Sequence, residues 1–572
     1  MAQRFSTIAV IGLGTTGSAL AGIIARGGRR VIAVDHDRAA LDRARASLAD
    51  TGSAAVDLTT RPADVASADL VIEAVEERLQ AKCDVLRRAH SVCAPDAVFA
   101  TTTTGLSVAE IAFGSGRVDR TVGLHLFPPG LRSPQTTVEV VSTPVTSESP
   151  AADVRSLMRE LGQVPVCVSD QPGFVGGALT MAYLNSAAAM YEQGYASCDS
   201  IDTAMRLGCG LPRGPLAQLD AIGLDTALNT LEALYERTGD RRYLPAPILT
   251  HMVAAGLLGL KTGRGFYDHR APADDNGTGK AGGTPASAHA VRSIGIVGSG
   301  TMAGGIAEVC VRSGYETTVA ARSEFRAKQV RAVVEHSLNR GVSRGKLAPE
   351  LVGPSLDRLT GVDGLEGLAE CDVVIEAVAE DIAVKRAVFT KLDALCRPGA
   401  VLATTTSSLP VIECAMATGR PEAVLGLHFF NPAPVMRLVE VVHTVLTSRE
   451  TLDVAHTLTT ALGKQAVDCR DRTGFIVNAL LFPYLNSAVA MLEEGRASGE
   501  DIDTVMAVGQ GFPMGPLQLL DVIGLDVSLA IQRTLHGTFR EPHLAPARPL
   551  EQLVAAGHLG RKEGMGLRSP RL

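Results

Sequence analysis

Two turns rich in glycine have the residue types and spacing that suit phosphate binding. They read Gly12-x-Gly14-x-x-Gly17 and Gly298-x-Gly300-x-x-Ala303. Glycine permits a sharp turn and a close approach of the backbone to a pyrophosphate, which then lies at the N-terminus of the next helix. Asp35 follows at the end of the next apolar run, where a carboxylate can bind ribose hydroxyls. The first turn therefore predicts NAD binding, and the alternative is a purely structural turn.

The second turn lacks the matching acid. Ala321 stands at the position of Asp35, and Arg322 and Ser323 follow it. Without the carboxylate there is no repulsion toward a 2'-phosphate, and an adjacent arginine can pair with one. The second turn therefore predicts a preference for NADP. The alternative is a nucleotide site that has lost its function, with Arg322 in solvent.

A histidine and a glutamate lie within the largely apolar stretch at residues 425–442, at His428 and Glu440. An imidazole can exchange the proton when an alcohol and a ketone interconvert, and a carboxylate behind it fixes the tautomer. Donors at Ser407 and Asn478 can steady negative charge on a substrate oxygen. Taken singly, these residues also suit a core or turn histidine, a helix-capping serine and a buried amide that ties down a loop.

Most of the chain is an internal repeat. The glycine turns match at an offset of 286, Glu-Ala-Val at 73–75 matches 376–378 at 303, and Ile-Gly-Leu-Asp at 222–225 matches 523–526 at 301. The offset rises by 17 because the second repeat carries a predicted helical stretch at 333–351 that the first lacks. A period this long indicates a duplicated pair of domains rather than a solenoid.

Each repeat is predicted to contain a parallel sheet followed by helices. Short β-branched runs lie at residues 7–11, 31–34 and 70–72, and at 293–297, 317–320 and 373–375. They alternate with helical stretches, and Ala- and Leu-rich helical patterns follow. We therefore predict an α/β plus all-α protein, with two Rossmann dinucleotide-binding domains each followed by a helical domain. The predicted boundaries are 1–170, 171–269, a linker at 270–290, 291–471 and 472–572.

Composition narrows the classes of partner. The formal net charge of −7 argues against a nucleic-acid partner, which requires a basic surface. The ten cysteines are scattered without the spacing of a metal site, as expected of reduced thiols. No apolar run reaches the roughly 18 residues of a membrane span, and the start does not resemble a signal peptide. We therefore expect no metal, no membrane partner and a cytoplasmic location.

The second repeat resembles the L-3-hydroxyacyl-CoA dehydrogenases. The resemblance rests on LGLHFFNPAPVMRLVEVV at 425–442, TTTSSL at 404–409, TGFIVN at 473–478 and GFPMGP at 511–516. It implies hydride transfer between a 3-hydroxyacyl-CoA and NAD or NADP, with a short acyl group such as 3-hydroxybutyryl. By resemblance, the catalytic residues are His428, Glu440, Ser407 and Asn478. Further implied cofactor contacts are Glu380, Lys385, Asn431 and Lys562.

The extra helical stretch of the second repeat corresponds to a segment that helps to hold coenzyme A in the family. Ser337 and Arg344 are the implied contacts, and an arginine suits phosphate. The alternative is an exposed basic helix face. The role of Lys562 is in doubt, because the closing turn at 559–567 lacks the aromatic residues found at Phe266 and Tyr267 in the first repeat.

The first repeat departs from the family pattern. It keeps His125 and Glu139, with two extra residues between them, but has Thr104, Pro128 and Gly177 where the second has Ser407, Asn431 and Asn478. We predict that the first repeat serves mainly as a scaffold. Family members dimerise through their helical domains, so the repeats are expected to pair within the chain as a pseudo-dimer, and a further homodimer remains open.

Two other functions are alternatives to the one that this resemblance implies. Dehydrogenases of the 3-hydroxyisobutyrate and phosphogluconate type use a lysine early in the helical region, and residues 473–500 contain none. Non-catalytic binding of acyl-CoA or nucleotide stays open as the alternative for the first repeat or for the whole chain.

Overall fold

The computed structural model describes residues 4–49, 56–127, 136–270 and 291–568. Of the predicted linker, residues 271–290 lie outside the described residues. Pro128 also lies outside them, so its replacement of the Asn431 equivalent remains a sequence observation.

Each repeat begins with an eight-stranded sheet. The strands of the first are β1 (Thr7–Ile11), β2 (Arg30–Val34), β3 (Val56–Thr59), β4 (Leu70–Glu73), β5 (Val98–Thr101), β6 (Thr121–Leu126), β7 (Thr137–Ser142) and β8 (Val164–Ser169). Those of the second are β9 (Ser293–Val297), β10 (Glu316–Ala321), β11 (Leu359–Asp363), β12 (Val373–Glu376), β13 (Val401–Thr404), β14 (Val424–Phe429), β15 (Leu438–His443) and β16 (Gln465–Arg470). The strands predicted from the sequence are confirmed, with ends that differ by at most one residue.

The strand order of the first sheet is β3-β2-β1-β4-β5-β6-β7-β8, and the second sheet repeats it as β11-β10-β9-β12-β13-β14-β15-β16. All neighbours are parallel except β6 with β7 and β14 with β15. The order reverses beside β1 and β9, which is where doubly wound sheets bind nucleotides.

Helices cover both sheets and form the second half of each repeat. In the first repeat they are α1 (Thr15–Arg26), α2 (Arg38–Ala49), α3 (Leu79–His90), α4 (Val108–Ser115), α5 (Glu148–Glu160), α6 (Gly176–Glu192), α7 (Cys198–Cys209), α8 (Pro215–Ile222), α9 (Leu224–Thr238) and α10 (Pro247–Ala254). In the second they are α11 (Thr301–Arg312), α12 (Glu324–Ser343), α13 (Val352–Asp357), α14 (Ile382–Leu395), α15 (Val411–Ala415), α16 (Arg449–Ala461), α17 (Val477–Glu493), α18 (Gly499–Thr504), α19 (Pro516–Ile523), α20 (Leu525–Phe539) and α21 (Arg548–Ala555). The predicted fold class is confirmed.

The central strands are apolar because helices cover both of their faces. Every residue of β4 and of β12 is buried. Parallel strands covered on both sides read as continuous apolar runs rather than as alternating ones. The same runs made these strands recognisable in the sequence.

The extra helical segment of the second repeat differs in part from its prediction. Helix α12 is 20 residues long but ends at Ser343, so the helix does not continue to residue 351. Gly345 adopts a positive φ of 64°, a conformation that commonly terminates helices. Ser337 is therefore on the helix, whereas Arg344 lies just past its end.

The two repeats contact each other through their helical halves. Helix α6 packs against α17, and the rings of Tyr183 and Tyr484 lie 6.2 Å apart. Equivalent backbone bonds join the repeats on both sides. The Ser169 amide donates to the Arg496 carbonyl at 2.8 Å, and the Arg470 amide donates to the Tyr195 carbonyl at 3.2 Å. This pairing has the self-complementary form of a two-fold interface.

Within the described ranges, no helix is both long enough and apolar enough to cross a bilayer. The same part of the chain holds no cluster of His, Cys, Asp and Glu side chains suited to a metal ion.

Candidate active site

The first glycine turn leaves open space above the N-terminus of α1. Gly12 has a φ of 96°, and a Cβ there would lie 2.5 Å from the Ala74 carbonyl oxygen. A Cβ at Gly17 would lie 1.8 Å from the Gly12 oxygen. A Cβ at Gly14 would meet nothing within 4 Å, and no side chain caps this helix. The geometry fits a pyrophosphate.

Asp35 follows β2 and lies beside this turn. One carboxylate oxygen accepts the Leu13 amide at 2.7 Å, and the other accepts the Asp37 amide at 2.9 Å. The predicted ribose ligand is therefore fixed to the turn whose phosphate site it would complete.

The second turn repeats the backbone geometry without the acid. Gly298 has a φ of 133°, and a Cβ there would lie 2.4 Å from the Ala377 oxygen. Gly300 opens α11 with free space above it, as Gly14 does in α1. Ala321 ends β10, and Arg322 is exposed directly after it. The preference for NADP stays a prediction.

His428 and Glu440 face each other across the antiparallel pair β14 and β15. The His428 Nδ1 lies 2.6 Å from the Glu440 Oε2, and both side chains are buried. The other oxygen, Oε1, accepts the amides of Ile476 and Val477 at 3.0 and 2.9 Å, where α17 begins. Because the carboxylate is held on both oxygens, it directs Nε2 of the imidazole away from the sheet pair.

Ser407 completes this group. The Ser407 Oγ lies 3.1 Å from the His428 Nε2. The side-chain amide of Asn478 donates to the backbone carbonyl of Ser407 at 3.1 Å. Glu380 Oε1 accepts the Ser407 backbone amide at 2.9 Å. The structure thus brings together the four side chains predicted as catalytic, with Glu380 fixing the loop that carries Ser407.

A buried ion pair that the sequence prediction missed lies behind this loop. The Lys385 Nζ donates to both oxygens of Glu376, at 2.9 and 3.0 Å, and lies 3.5 Å from Glu380. The Thr404 hydroxyl also donates to Glu376, at 2.7 Å. Lys385 is 1% exposed and therefore acts on the site through the two glutamates. The repeated Glu-Ala-Val motif, which begins at Glu73 and Glu376, was the available signal.

The first repeat builds the same ion pair from Glu73 and Lys82, whose Nζ donates at 3.0 Å. Burial raises the pKa of the Glu73 carboxyl above its ordinary value, although Lys82 opposes the shift. For the neighbouring Glu77, burial acts in the same direction, but Lys82 and the Thr103 hydroxyl outweigh it and hold the pKa below the usual value. Lys82 thus favours the charged form of Glu77, the acid that accepts hydrogen bonds from the loop after β5.

The remaining predicted contacts lie outside this hydrogen-bonded group. Asn431 is exposed shortly after the end of β14. On α12, Ser337 is partly buried, and Arg344 beyond it is exposed. The Lys562 ammonium lies 3.2 Å from Asp526. Their roles toward cofactor and coenzyme A stay predictions.

The first repeat keeps the dyad but not the group around it. His125 Nδ1 lies 2.5 Å from Glu139 Oε2, and Glu139 Oε1 accepts two amides at the start of α6 at 3.1 and 3.0 Å. The Thr104 hydroxyl lies 3.4 Å from Glu77 Oε1. Gly177, in the place of Asn478, has no side chain to offer. The pair of histidine and glutamate is therefore retained in a changed setting.

Two protein-family models match this chain, and each matches once in each repeat. The family model for the 3-hydroxyacyl-CoA dehydrogenase NAD binding domain matches residues 7–171 and 293–472. The model for the C-terminal domain of the same family matches residues 173–269 and 474–569.

Relatives and a solved structure match as well. A 3-hydroxybutyryl-CoA dehydrogenase of Mycobacterium tuberculosis is 46% identical over 279 residues, which are 48% of this chain and 98% of that protein. A 3-hydroxyadipyl-CoA dehydrogenase of Escherichia coli is 41% identical over 278 residues, 48% of this chain and 58% of that protein. The crystal structure of a 3-hydroxybutyryl-CoA dehydrogenase from Escherichia coli is similar in fold, with a TM-score of 0.68 and 23% identity over 97% of this chain and 99% of that one. Since both domain models match twice and cover most of the sequence, the chain belongs to the 3-hydroxyacyl-CoA dehydrogenase family.

Proposed function

We propose that the second repeat interconverts (S)-3-hydroxyacyl-CoA and 3-oxoacyl-CoA with a nicotinamide cofactor, and that its acyl group is short, as in 3-hydroxybutyryl-CoA and acetoacetyl-CoA. The observation that carries this proposal is the buried pair of His428 and Glu440, with Nε2 of the histidine 3.1 Å from the Ser407 hydroxyl. The names of the relatives support the same substrate class.

The bound nicotinamide supplies the acceptor or donor of the hydride. Because Glu440 accepts from Nδ1, the neutral imidazole carries its proton there and presents a lone pair at Nε2. Nε2 takes the hydroxyl proton when the alcohol is oxidised. In the direction of reduction the imidazolium returns the proton to the carbonyl oxygen. The carboxylate stabilises that imidazolium without taking its proton.

Ser407 and Asn478 are proposed to stabilise negative charge on the substrate oxygen. The Ser407 hydroxyl lies beside Nε2, where the reacting oxygen has to bind. The Asn478 side chain donates a hydrogen bond to the Ser407 backbone carbonyl at 3.1 Å, which holds Ser407 in position. Preorganised donors of this kind act most strongly where water is excluded.

The two glycine turns fit a dinucleotide, because each leaves a helix N-terminus uncapped and open. We propose NAD for the first repeat, held by Gly12, Gly14, Gly17 and Asp35. For the second we propose NADP, held by Gly298, Gly300, Ala303 and Arg322, with Glu380, Asn431 and Lys562 as further residues of the cofactor site. Lys385, itself buried, would contribute to this site by holding Glu380 in place. If the second repeat uses NADPH, reduction is its working direction.

Coenzyme A is proposed to lie along α12, with contacts from Ser337 and Arg344. The domain boundaries are proposed at 1–170, 171–269, 291–471 and 472–572. The contacts between α6 and α17 support an intrachain pseudo-dimer in place of the dimer of single-repeat relatives.

The test follows absorbance at 340 nm with acetoacetyl-CoA and either NADH or NADPH. His428→Gln should abolish turnover, while His125→Gln, which alters the equivalent residue of the first repeat, should retain most of it. The opposite result would assign the activity to the first repeat. Loss of activity in neither variant would overturn the proposed dyad mechanism.

A further inference from the structure

The first repeat contains a large cavity that is lined by the histidine of its own dyad. The cavity has a volume of about 640 Å³ and is lined by His125, Thr104 and the polar side chains of α9 that face them. A scaffold has no need of such a space next to a paired imidazole. The cavity therefore points to a ligand of the first repeat.

Polar residues line this cavity where the second repeat has apolar ones. Thr180, Arg213 and Gln218 line it in the first repeat. The corresponding residues of the second repeat are Leu481, Met514 and Leu519, which line a different, small apolar cavity together with Tyr183 and Met205 of the first repeat. The two repeats thus offer different chemistry at equivalent positions.

Arg213 is the side chain that decides which ligand fits. It is partly buried, and among the described residues it forms no ion pair. No acidic side chain is present among the described residues that line the cavity. A guanidinium in a partly desolvated cleft is best matched by a carboxylate, which it can bind through two parallel hydrogen bonds. An unbranched apolar chain would leave it without a partner.

The second repeat completes the wall of this cavity. Gly509 and Gln510, at the end of the π-helical turn that follows α18 (Val505–Gly509), line it together with His125. The ring of Phe127 lies so close to Gly509 that a Cβ there would be 2.9 Å from a ring carbon. The site is therefore formed by both repeats and requires the paired chain.

We propose that the first repeat is a second dehydrogenase site, for a substrate that carries a carboxylate at the end remote from its reacting carbon. The chemistry rests on the function proposed for the family dyad. In oxidation, the hydride leaves the carbinol carbon for the nicotinamide of NAD, the hydroxyl proton passes to His125 Nε2, and the carbon–oxygen double bond forms. Arg213 binds the carboxylate and sets the specificity.

The carboxylate has two possible sources. It can be the terminal group of a dicarboxylic acyl chain on coenzyme A, or belong to a free hydroxy dicarboxylic acid. Both present the same anion to Arg213. The first repeat lacks the long helix α12, along which coenzyme A is proposed to lie in the second, so the fold does not decide between the two sources. The experiment separates them.

The test uses the full chain with His428→Gln, so that turnover reports the first repeat. Three probes are compared at 340 nm: 3-oxoadipyl-CoA and 3-oxohexanoyl-CoA with NADH, and 3-hydroxyadipate with NAD. The expected result is a kcat/KM at least about tenfold higher for 3-oxoadipyl-CoA than for 3-oxohexanoyl-CoA, as loss of one charged hydrogen-bond partner implies. Turnover of 3-hydroxyadipate instead assigns the site to a free acid.

Arg213→Met, which copies the second repeat, should remove the preference for a carboxylate, and Arg213→Lys should keep part of it. His125→Gln in the same background should end turnover of every probe.

Equal turnover of the carboxylate and neutral probes, no turnover of any probe, or a preference that survives Arg213→Met would each overturn the inference. Acetoacetyl-CoA reduction by the unaltered chain tests the proposed function separately. A failure there is thus distinguishable from a failure at the first site.

Discussion

Glu440→Gln is the sharpest test of the proposed dyad, because it changes charge with little change in shape. In the structure one carboxylate oxygen lies 2.6 Å from His428 Nδ1. The other accepts the Ile476 and Val477 amides at 3.0 and 2.9 Å. A glutamine has one oxygen and one NH2 group, so it can satisfy only one of these two sides with its oxygen.

The backbone side should win the glutamine oxygen. If the NH2 group faced the two amides, two buried donors would lose their acceptor, at about 1–3 kcal/mol each. Turned the other way, the NH2 group faces the single Nδ1 of His428, which can accept a hydrogen bond in its other tautomer. That tautomer carries its proton on Nε2. The lone pair needed to take up the substrate proton is then missing.

The expected cost follows from the loss of this base in oxidation and, in the reduction that is assayed, from the loss of the carboxylate that stabilises the proton-donating imidazolium. General acid–base catalysis contributes about 10²–10⁴ in rate, so kcat for acetoacetyl-CoA should fall within that range. This corresponds to a barrier higher by about 3–5 kcal/mol. KM should change little, since no proposed substrate contact is removed. The assay is steady-state reduction at 340 nm with the preferred cofactor.

Glu139→Gln is the matched control. Glu139 Oε1 accepts amides at the start of α6 at 3.1 and 3.0 Å, so both variants disturb the fold alike and should shift the melting temperature alike. Only Glu440→Gln should depress acetoacetyl-CoA turnover. The reasoning is refuted if Glu440→Gln lowers kcat by less than about tenfold, or if Glu139→Gln lowers it equally.

Three further outcomes are expected. Arg322→Ala should reduce kcat/KM for NADPH by about tenfold or more, the effect of losing one charged hydrogen bond, and should leave kcat/KM for NADH unchanged. Equal losses with both cofactors would contradict the pairing of Arg322 with a 2'-phosphate. Arg344→Ala should raise KM for acetoacetyl-CoA at unchanged kcat, and an unchanged KM would return this residue to an exposed surface. Tyr484→Phe should leave the melting temperature measured by calorimetry unchanged or raise it, because the Tyr484 hydroxyl is buried and no described residue forms a hydrogen bond with it. Burial also raises the pKa of this hydroxyl. A clear decrease in the melting temperature would show that the hydroxyl has a partner.

The sequence was most informative where structure is local. The strand ends came from short β-branched runs, and the glycine turns from spacing within a few residues. By contrast, the distance between His428 and Glu440 depends on the register of β14 and β15, which places the two residues directly opposite each other. A separation of twelve residues does not determine that register, so the pairing followed only from the family resemblance.

Interactions between distant segments escaped sequence analysis. The repeated Glu-Ala-Val motif marks Glu376, but nothing near Lys385 in the sequence indicates that its charge is buried against this acid, because the two residues lie on different elements. The end of α12 was also placed too late, since Gly345 stops the helix within a stretch of otherwise helical composition. Arg213 gave no signal before the structure placed it in the same cavity as His125.

The first repeat also packs against the segments of the second repeat that hold Glu440. Gly208, at the end of α7, packs so closely that a Cβ there would lie 2.9 Å from Val477 and 3.0 Å from Leu438. Val477 donates its amide to Glu440, and Leu438 begins the strand that carries Glu440. Helix α7 therefore presses on both segments that hold the carboxylate behind His428. This contact restricts which residues can stand at Gly208 on α7, whatever ligand the cavity of the first repeat binds. Gly208 does not line that cavity, so the contact does not restrict the residues that do.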